Sequence, residues 1–253
     1  MPEPSDVQVD RRVVTTGALD RSTRLLLWVV FAAVLMLAAL VAYAWLSGAF
    51  GTESPRTAEE RSLAVTAATI LATPGDGSAY AIRAETLYRL GRKAEAYQVL
   101  DQGEKAVGKT EPGLLFVLRT RTALLNNDGN FAEAEKVGIR GMTASDDYLG
   151  QQGAALAKKG VTGINTNMQD RESVDMAVQL ATAYMGEKNY AKAIELYNYA
   201  LRLEPLSGDV LTQRGFVFLA SGDKVKAKAD FTEALKYLPN DPQATAGLKQ
   251  ASN

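Results

Sequence analysis

Residues 190–205 read YAKAIELYNYALRLEP, and residues 224–239 read KVKAKADFTEALKYLP. Set one above the other, Ala193, Tyr197, Ala200, Leu201 and Pro205 are answered by Ala227, Phe231, Ala234, Leu235 and Pro239, every pair 34 residues apart. Tyr184 and Phe218 keep the same interval. Ala193 and Ala200 lie two helical turns apart on one face and leave room for a neighbouring helix, while the aromatics between them fill the groove. Pro205 and Pro239 stop each second helix, because proline has no amide donor and clashes with the preceding turn. Self-similarity at a fixed period marks a repeat architecture, whose units bury their apolar faces only by stacking.

This spacing resembles the tetratricopeptide repeat family, a 34-residue helix-turn-helix in which large, small and aromatic positions are followed by Ala, aromatic, Ala and Pro. Val174 to Ser207 carries the pattern in Leu180, Ala181, Tyr184, Ala193, Tyr197, Ala200 and Pro205. Gly208 to Asp241 carries it in Gly215, Phe218, Ala227, Phe231, Ala234 and Pro239. Arg214 stands where the family has a large apolar side chain, which points to a copy near the end of the stack with one flank in water. Upstream, Leu87 to Ala96 and Leu124 to Ala134 read as two degenerate copies, each with a tight turn and a following alanine. Their alanines lie 38 apart, Gly103, Gly138 and Gly141 occupy second-helix Ala or aromatic positions, and neither copy ends in proline. A separate helix is expected from about Asp146 to Lys159, capped by Ser145 and closed by Gly160, with Val161 to Gln169 as a loop. Pro242 to Gln250 reads as the short solvent-facing helix that closes a repeat stack.

Toward the other terminus, Leu25 to Leu46 reads LLLWVVFAAVLMLAALVAYAWL, without a charge, amide, Gly or Pro. At about 1.5 Å per residue this run reaches roughly 33 Å, enough for a bilayer core. Trp28 and Trp45 lie near its ends, where an interfacial aromatic belt would put them. A cleaved leader is the alternative, since Ala42-Tyr43-Ala44 has the small-x-small form of a processing site. The run is longer than a leader's apolar core and sits behind a 24-residue tail, which favours an uncleaved anchor. Arg11, Arg12, Arg21 and Arg24 precede the run, and only Arg56 and Arg61 follow closely, so the tail is expected in the cytoplasm and the rest of the chain outside it, in the manner of a bacterial envelope protein.

The expected fold is therefore all-α: a single N-terminal transmembrane helix followed by a tetratricopeptide-like helical-repeat domain, an α-solenoid. The expected order is a disordered tail over 1–24, the span over 25–46 and a juxtamembrane segment with one helix (Glu59 to Ala72) over 47–77. Degenerate repeats over 78–173, two clear repeats over 174–241 and a cap over 242–253 follow. Pro55 suits the opening of the juxtamembrane helix, and Ser78 suits a cap after the break at Thr73-Pro74-Gly75-Asp76-Gly77.

The 253 residues hold 28 Lys+Arg against 29 Asp+Glu, with no Cys and no His. A net charge of 28 − 29 = −1 lacks the surplus that phosphate neutralisation needs, so no nucleic-acid partner is expected. Without thiol or imidazole there are no disulfides, no zinc site of the usual kind and no Ser-His or Cys-His nucleophile pair. No metal, cofactor or catalytic residue is assigned. Asn126-Asn127-Asp128-Gly129-Asn130 is rich in oxygen ligands, but counting back from Gly129 puts Leu124 at the first calcium-ligand position, so it reads as a turn. Asp146 and Asp147 are explained by a helix start, where the backbone dipole favours acids. No glycine string of the phosphate-cradling kind occurs. Tyr190 and Tyr197 read as repeat core. Lys192, Lys224, Lys226 and Lys228, set among Asp223, Asp230 and Glu233, read as a solvated face.

The resemblance implies a concave groove lined by the first helices, here Asp175, Val178, Thr182, Met185, Asp209, Thr212, Phe216 and Leu219. So drawn, the groove is mostly apolar with two acids. Val178 and Thr182 cannot form the basic clamp with which family members grip C-terminal carboxylates, and an extended peptide or partner helix with apolar anchors suits it better. The resulting expectation is a non-enzymatic, membrane-anchored scaffold for protein or peptide partners. Its lipid contact is at residues 25–46, and Ala38 and Ala42 offer a small-x-x-x-small pair to another spanning helix. The alternatives are an assembly factor for an envelope complex, holding unfolded clients as in cytochrome c maturation, secretion or pilus building, an organellar import receptor, and an enzyme working with carboxylates alone.

Overall fold

Four tight turns organise the repeat region, and they share one hydrogen-bond pattern. At each, a residue of positive φ donates its amide three residues back, and the next residue donates five back: Gly91 to Tyr88 with Arg92 to Leu87, Gly129 to Asn126 with Asn130 to Leu125, Lys188 to Met185 with Asn189 to Tyr184, and Gly222 to Leu219 with Asp223 to Phe218. Such a left-handed C-terminal residue satisfies the last free carbonyls of the first helix while reversing the chain. Glycine takes that conformation without a Cβ penalty. Lys188, at φ 61°, takes it with one.

The computed structural model describes residues 21–46, 57–108, 112–158 and 167–253. The chain divides into two compact units, Met1–Ser54 and Pro55–Asn253. In the first, α1 (Arg21–Leu46) makes the apolar run helical and begins within the expected 24-residue tail. Its described side chains, those of residues 25–40, are all exposed. Among the described residues no helix is long and apolar enough to cross a membrane.

In the second unit the elements are α2 (Ala58–Ala72), α3 (Gly77–Arg89), α4 (Lys93–Ala106), α5 (Pro112–Asn127), α6 (Phe131–Lys158), α7 (Asn167–Gly186), α8 (Tyr190–Leu203), α9 (Gly208–Ala220), α10 (Lys224–Tyr237) and α11 (Pro242–Ser252). The four turns pair α3 with α4, α5 with α6, α7 with α8 and α9 with α10. Each second helix also packs on the next first helix, α4 on α5, α6 on α7, α8 on α9 and α10 on α11. The described repeat region is thus an all-helical solenoid. Tyr197 and Phe231 are fully buried in successive cores, with Ala193, Ala200, Ala227 and Ala234 beside them. α8 and α10 end two residues before Pro205 and Pro239.

Several local expectations are corrected. The helix expected to start at Asp146 is the second half of the unbroken α6. Gly138, Gly141 and Ser145 look like punctuation in the sequence, but they fall at i, i+3 and i+7 and form one stripe against α7. A Cβ on Gly138 would stand 2.9 Å from Leu180, and one on Gly141 would stand 2.2 Å from Met176. Ser145 and Ser173 share a buried hydroxyl hydrogen bond of 2.5 Å. Asp146 and Asp147 are exposed in mid-helix, so no helix start accounts for them. Asn167–Gln169, expected as loop, open α7, and 159–166 lie outside the described residues. Asp76, not Ser78, caps α3, accepting from the amides of Ser78 and Ala79. Thr57 and Glu60 form a reciprocal capping box on α2, with Pro55 outside the described residues.

Arg214 departs from expectation as well. It does not turn to water: its guanidinium donates to both carboxylate oxygens of Asp230 at 2.8 and 2.7 Å and to Asn198 at 2.6 Å. A planar fork with five donors can replace an apolar side chain at a repeat interface only if its hydrogen bonds are met there, and Asp230 is buried to meet them. Asp230 therefore leaves the solvated lysine face to which the sequence assigned it. Of the other ions of that face, Lys226 pairs with Asp223 at 2.9 Å, Glu233 with Lys236 at 2.6 Å and Lys192 with Glu135 of α6 at 3.4 Å.

Candidate functional site

The first helices α3, α5 and α7 pack side by side, as do α9 and α11. Polar side chains stitch them together on one face. Thr120 donates to Glu85 at 3.2 Å, and Arg119 donates to Glu172 at 3.0 Å and Asp175 at 2.8 Å. Asn126 Nδ2 donates to the Gln179 carbonyl at 2.8 Å, Thr212 to Asp241 at 3.2 Å, and Gln213 to Gln243 at 3.4 Å. Burial pushes the Glu172 carboxyl up, with Arg119 opposing it.

Between α7 and α9 this face opens into a cleft of about 440 Å³, lined by Asn126 and Asn127 of α5, Val178, Gln179 and Thr182 of α7, Asp209, Thr212 and Gln213 of α9, and Asp241 with Gln243 at the start of α11. A smaller cleft of about 180 Å³ continues along the same two helices past Arg171, Asp175, Glu204 and Ser207. Among the described residues no Lys or Arg lines the larger cleft. Its wall is mainly carboxamide and hydroxyl with two carboxylates, which corrects the expectation of a mostly apolar groove. Asn126 Oδ1 is buried and has no hydrogen-bond partner among the described residues.

Of the residues expected to face inward, Val178, Thr182, Asp209 and Thr212 line the larger cleft and Asp175 the smaller. Thr212 is buried and its single hydroxyl proton is already shared between the Gly208 carbonyl at 2.9 Å and Asp241, so it offers little to a ligand. Met185, Phe216 and Leu219 line neither. Met185 packs into the α7–α8 core, and Phe216 meets Phe231 edge-on at 5.0 Å in the last core, with Leu219 against the same cluster. A first helix in this stack is buried on more than one side, so an apolar residue near the groove is drawn into the neighbouring core.

The residues missed are the amides. Their signal was present: Asp175 and Asp209 recur at 34 residues, and so do Gln179 and Gln213. Polar recurrence at the repeat period is diagnostic because it serves no core. At the turn read as non-calcium, Asp128 accepts from Tyr88 at 2.7 Å, from Tyr97 at 2.8 Å and from Lys93. The Lys93 ammonium, first among these donors, holds Asp128 below the usual carboxylate range. Among the described residues no group of acids could hold a metal ion.

The tetratricopeptide repeat family profile matches residues 174–205. A stretch of 64 residues is 36% identical to the DnaJ homolog subfamily C member 3 homolog of Dictyostelium discoideum, covering 25% of this chain and only 13% of that protein. Among solved structures the chain is similar to MamA, residues 41 to the end, from Desulfovibrio magneticus RS-1, at 17% identity over 74% of this chain and 89% of that one, TM-score 0.48. It is also similar to YrrB, described as a TPR protein with an unusual peptide-binding site, at 13% identity over 73% and 97%, TM-score 0.30. Residues 174–205 thus match the tetratricopeptide repeat family, within a region that is all-helical and built of paired helices.

Proposed function

We propose that this chain is a membrane-anchored, non-enzymatic scaffold whose first-helix cleft holds an extended segment of a partner polypeptide. The observation that carries the reading is the set of five carboxamides, Asn126, Asn127, Gln179, Gln213 and Gln243, brought to one cleft from α5, α7, α9 and α11. A carboxamide donates and accepts, as a peptide group does, so such a wall pairs with main chain whatever its side chains. Asp209 is exposed in the same cleft and suits a basic side chain.

The apolar run from Leu25 to Leu46 supports the anchor, with the tail inside and the repeats outside by the arginine bias. Confinement to a layer near the bilayer raises the cleft's effective concentration toward other envelope components. Recognition of main chain rather than side chains also favours the assembly-factor version, in which the occupants are unfolded clients.

The test is binding of a permanently unfolded, reduced and alkylated polypeptide to the full-length protein in lipid vesicles. Gln179→Ala with Gln213→Ala is expected to weaken binding about tenfold, or about 1.4 kcal/mol. Unchanged affinity would remove the cleft from the reading. Extraction at alkaline pH and protease access in intact cells test anchor and orientation: a chain released without detergent, or repeats shielded from external protease while the tail is cut, would reverse them.

A further inference from the structure

The two ends of the stack differ in a way that a closed, solitary solenoid does not require. Terminal repeats need a polar outer face to stay in water. α11 has one, exposing Gln243, Thr245, Lys249 and Gln250. α2, at the opposite end, buries Thr66 and packs Leu63 and Ile70 against the α3–α4 core, yet its outer face carries Ala64, Val65, Ala68, Leu71 and Ala72. Val65 is 64% exposed and Leu71 84%. At 100° per residue these five and Arg61 fall within one sector centred on Ala68, and Arg61 is its only charge.

We propose that this face is covered by α2 of a second copy of the same chain, the two helices running antiparallel with Ala68 on the two-fold axis. That register sets Ala64 level with Ala72 and Val65 level with Leu71; because the two-fold keeps each flank on its own side, Leu71 of one copy lies beside Ala64 of the other and Val65 beside Ala72, large against small, and the backbones approach closely at Ala68. It also brings Arg61 beside the end of the other copy's helix. α2 has no basic residue in its last turn, so its final carbonyls carry an uncompensated partial negative charge, and Arg61 supplies the complement. An isologous pair needs this self-matching and nothing else. A lipid surface is a poorer occupant, because the face has one cation and no aromatic side chain, and the first turn of the helix carries two acids beside it, Glu59 and Glu60. The contact is a single helix of 15 residues, small for a stable free dimer, so its strength rests on the anchor reading: only ten residues separate Leu46 from Thr57, and tethering both copies to one bilayer concentrates them.

The chain has no cysteine, which makes disulfide trapping specific. In full-length protein reconstituted in vesicles, Ala68→Cys is expected to give mostly covalent dimer on mild oxidation. Ala64→Cys alone should give little, and the double variant A64C/A72C should give much. Leu71→Glu in the A68C background should cut the dimer at least tenfold while leaving helix content unchanged. Equal trapping through Lys228→Cys, far along the chain on an exposed position, would overturn the proposal, as would self-trapping of A64C, which marks a parallel pair. Absence of the A68C bridge overturns it too, whether or not an environment-sensitive dye on the introduced thiol reports lipid. Flotation of the same vesicles reads the anchor independently: protein that fails to float removes the anchor reading, while the A68C bridge still decides the dimer.

Discussion

In the last repeat the large side chain sits on the second helix and the space for it on the helices either side; upstream, at Gly103 of α4 and at Gly138 and Gly141 of α6, the arrangement is reversed, while Phe131 at the start of α6 keeps it, lying over Gly186 of α7. Phe231 of α10 lies against Gly215 and Gly247, where an added Cβ would come within 2.7 and 2.4 Å of its ring. At the three upstream glycines the second helix supplies the space: Gly103 of α4 faces Tyr80, and Gly138 and Gly141 of α6 face Leu180 and Met176. At these contacts knob and hole have changed sides. A packed interface constrains the sum of facing volumes, not which part of the sum each helix provides. The upstream copies look degenerate to a pattern that reads one helix at a time, and regular when both sides of the contact are counted.

The largest break in this comparison comes from emptying a knob. Phe231→Ala removes a fully buried ring and is expected to cost about 3–5 kcal/mol in urea unfolding, because the surrounding helices cannot collapse onto the space. Next, Asp230→Ala strands the Arg214 guanidinium at a repeat interface and should cost about 3 kcal/mol, whereas Arg214→Met with Asp230→Leu should restore most of it. A destabilised double variant would show that the ion pair does more than fill volume. Filling the holes comes third. Gly247→Ala should cost about 2 kcal/mol, since its Cβ meets a rigid ring; Gly141→Ala should cost about 1 kcal/mol, since it meets the flexible end of Met176. Met176→Ala should absorb the latter in a double-mutant cycle, and an additive pair would refute the facing-volume account.

The turns sharpen the comparison more gently. Lys188→Gly relieves a left-handed residue costing roughly 1–2 kcal/mol and adds chain entropy costing roughly 0.5–1, leaving a gain of about 0.5 kcal/mol in the same unfolding assay. The smallest effect concerns pH. Because Asp128 is held below its unfolded range, the unfolded state binds the proton first; its contribution is complete above about pH 4 and fades as pH falls through the lowered folded value. Asp128→Asn should flatten that acid limb of the stability–pH curve and leave the neutral region's slope unchanged.

Much of the architecture was legible because helical repeats are written in local spacing. The 34-residue recurrence placed α8 and α10 and the prolines beyond them, and capping chemistry was readable to within two residues at α3. The break expected at Ser145 failed for a definite reason: glycine and serine carry the same letters whether they end a helix or let another helix approach, and only the position of Met176, Leu180 and Ser173 on α7 separates the two. The groove divided along the same line. The acids recurring at the period, Asp175 and Asp209, fell on the clefts, but Met185, Phe216 and Leu219 did not, because a side chain with no need of water follows the nearest core.

What this sequence determined unaided was its helical class, its repeat period, its lack of thiol and imidazole chemistry, and one uninterrupted apolar run, since each depends only on composition or on neighbours within a few turns. Only the tertiary structure decided which amides meet in one cleft, that Arg214 and Asp230 are mutually satisfied, and that one end of the stack faces outward with apolar side chains. Those outcomes depend on pairs far apart in the chain whose energies exist only once packing has removed water from between them.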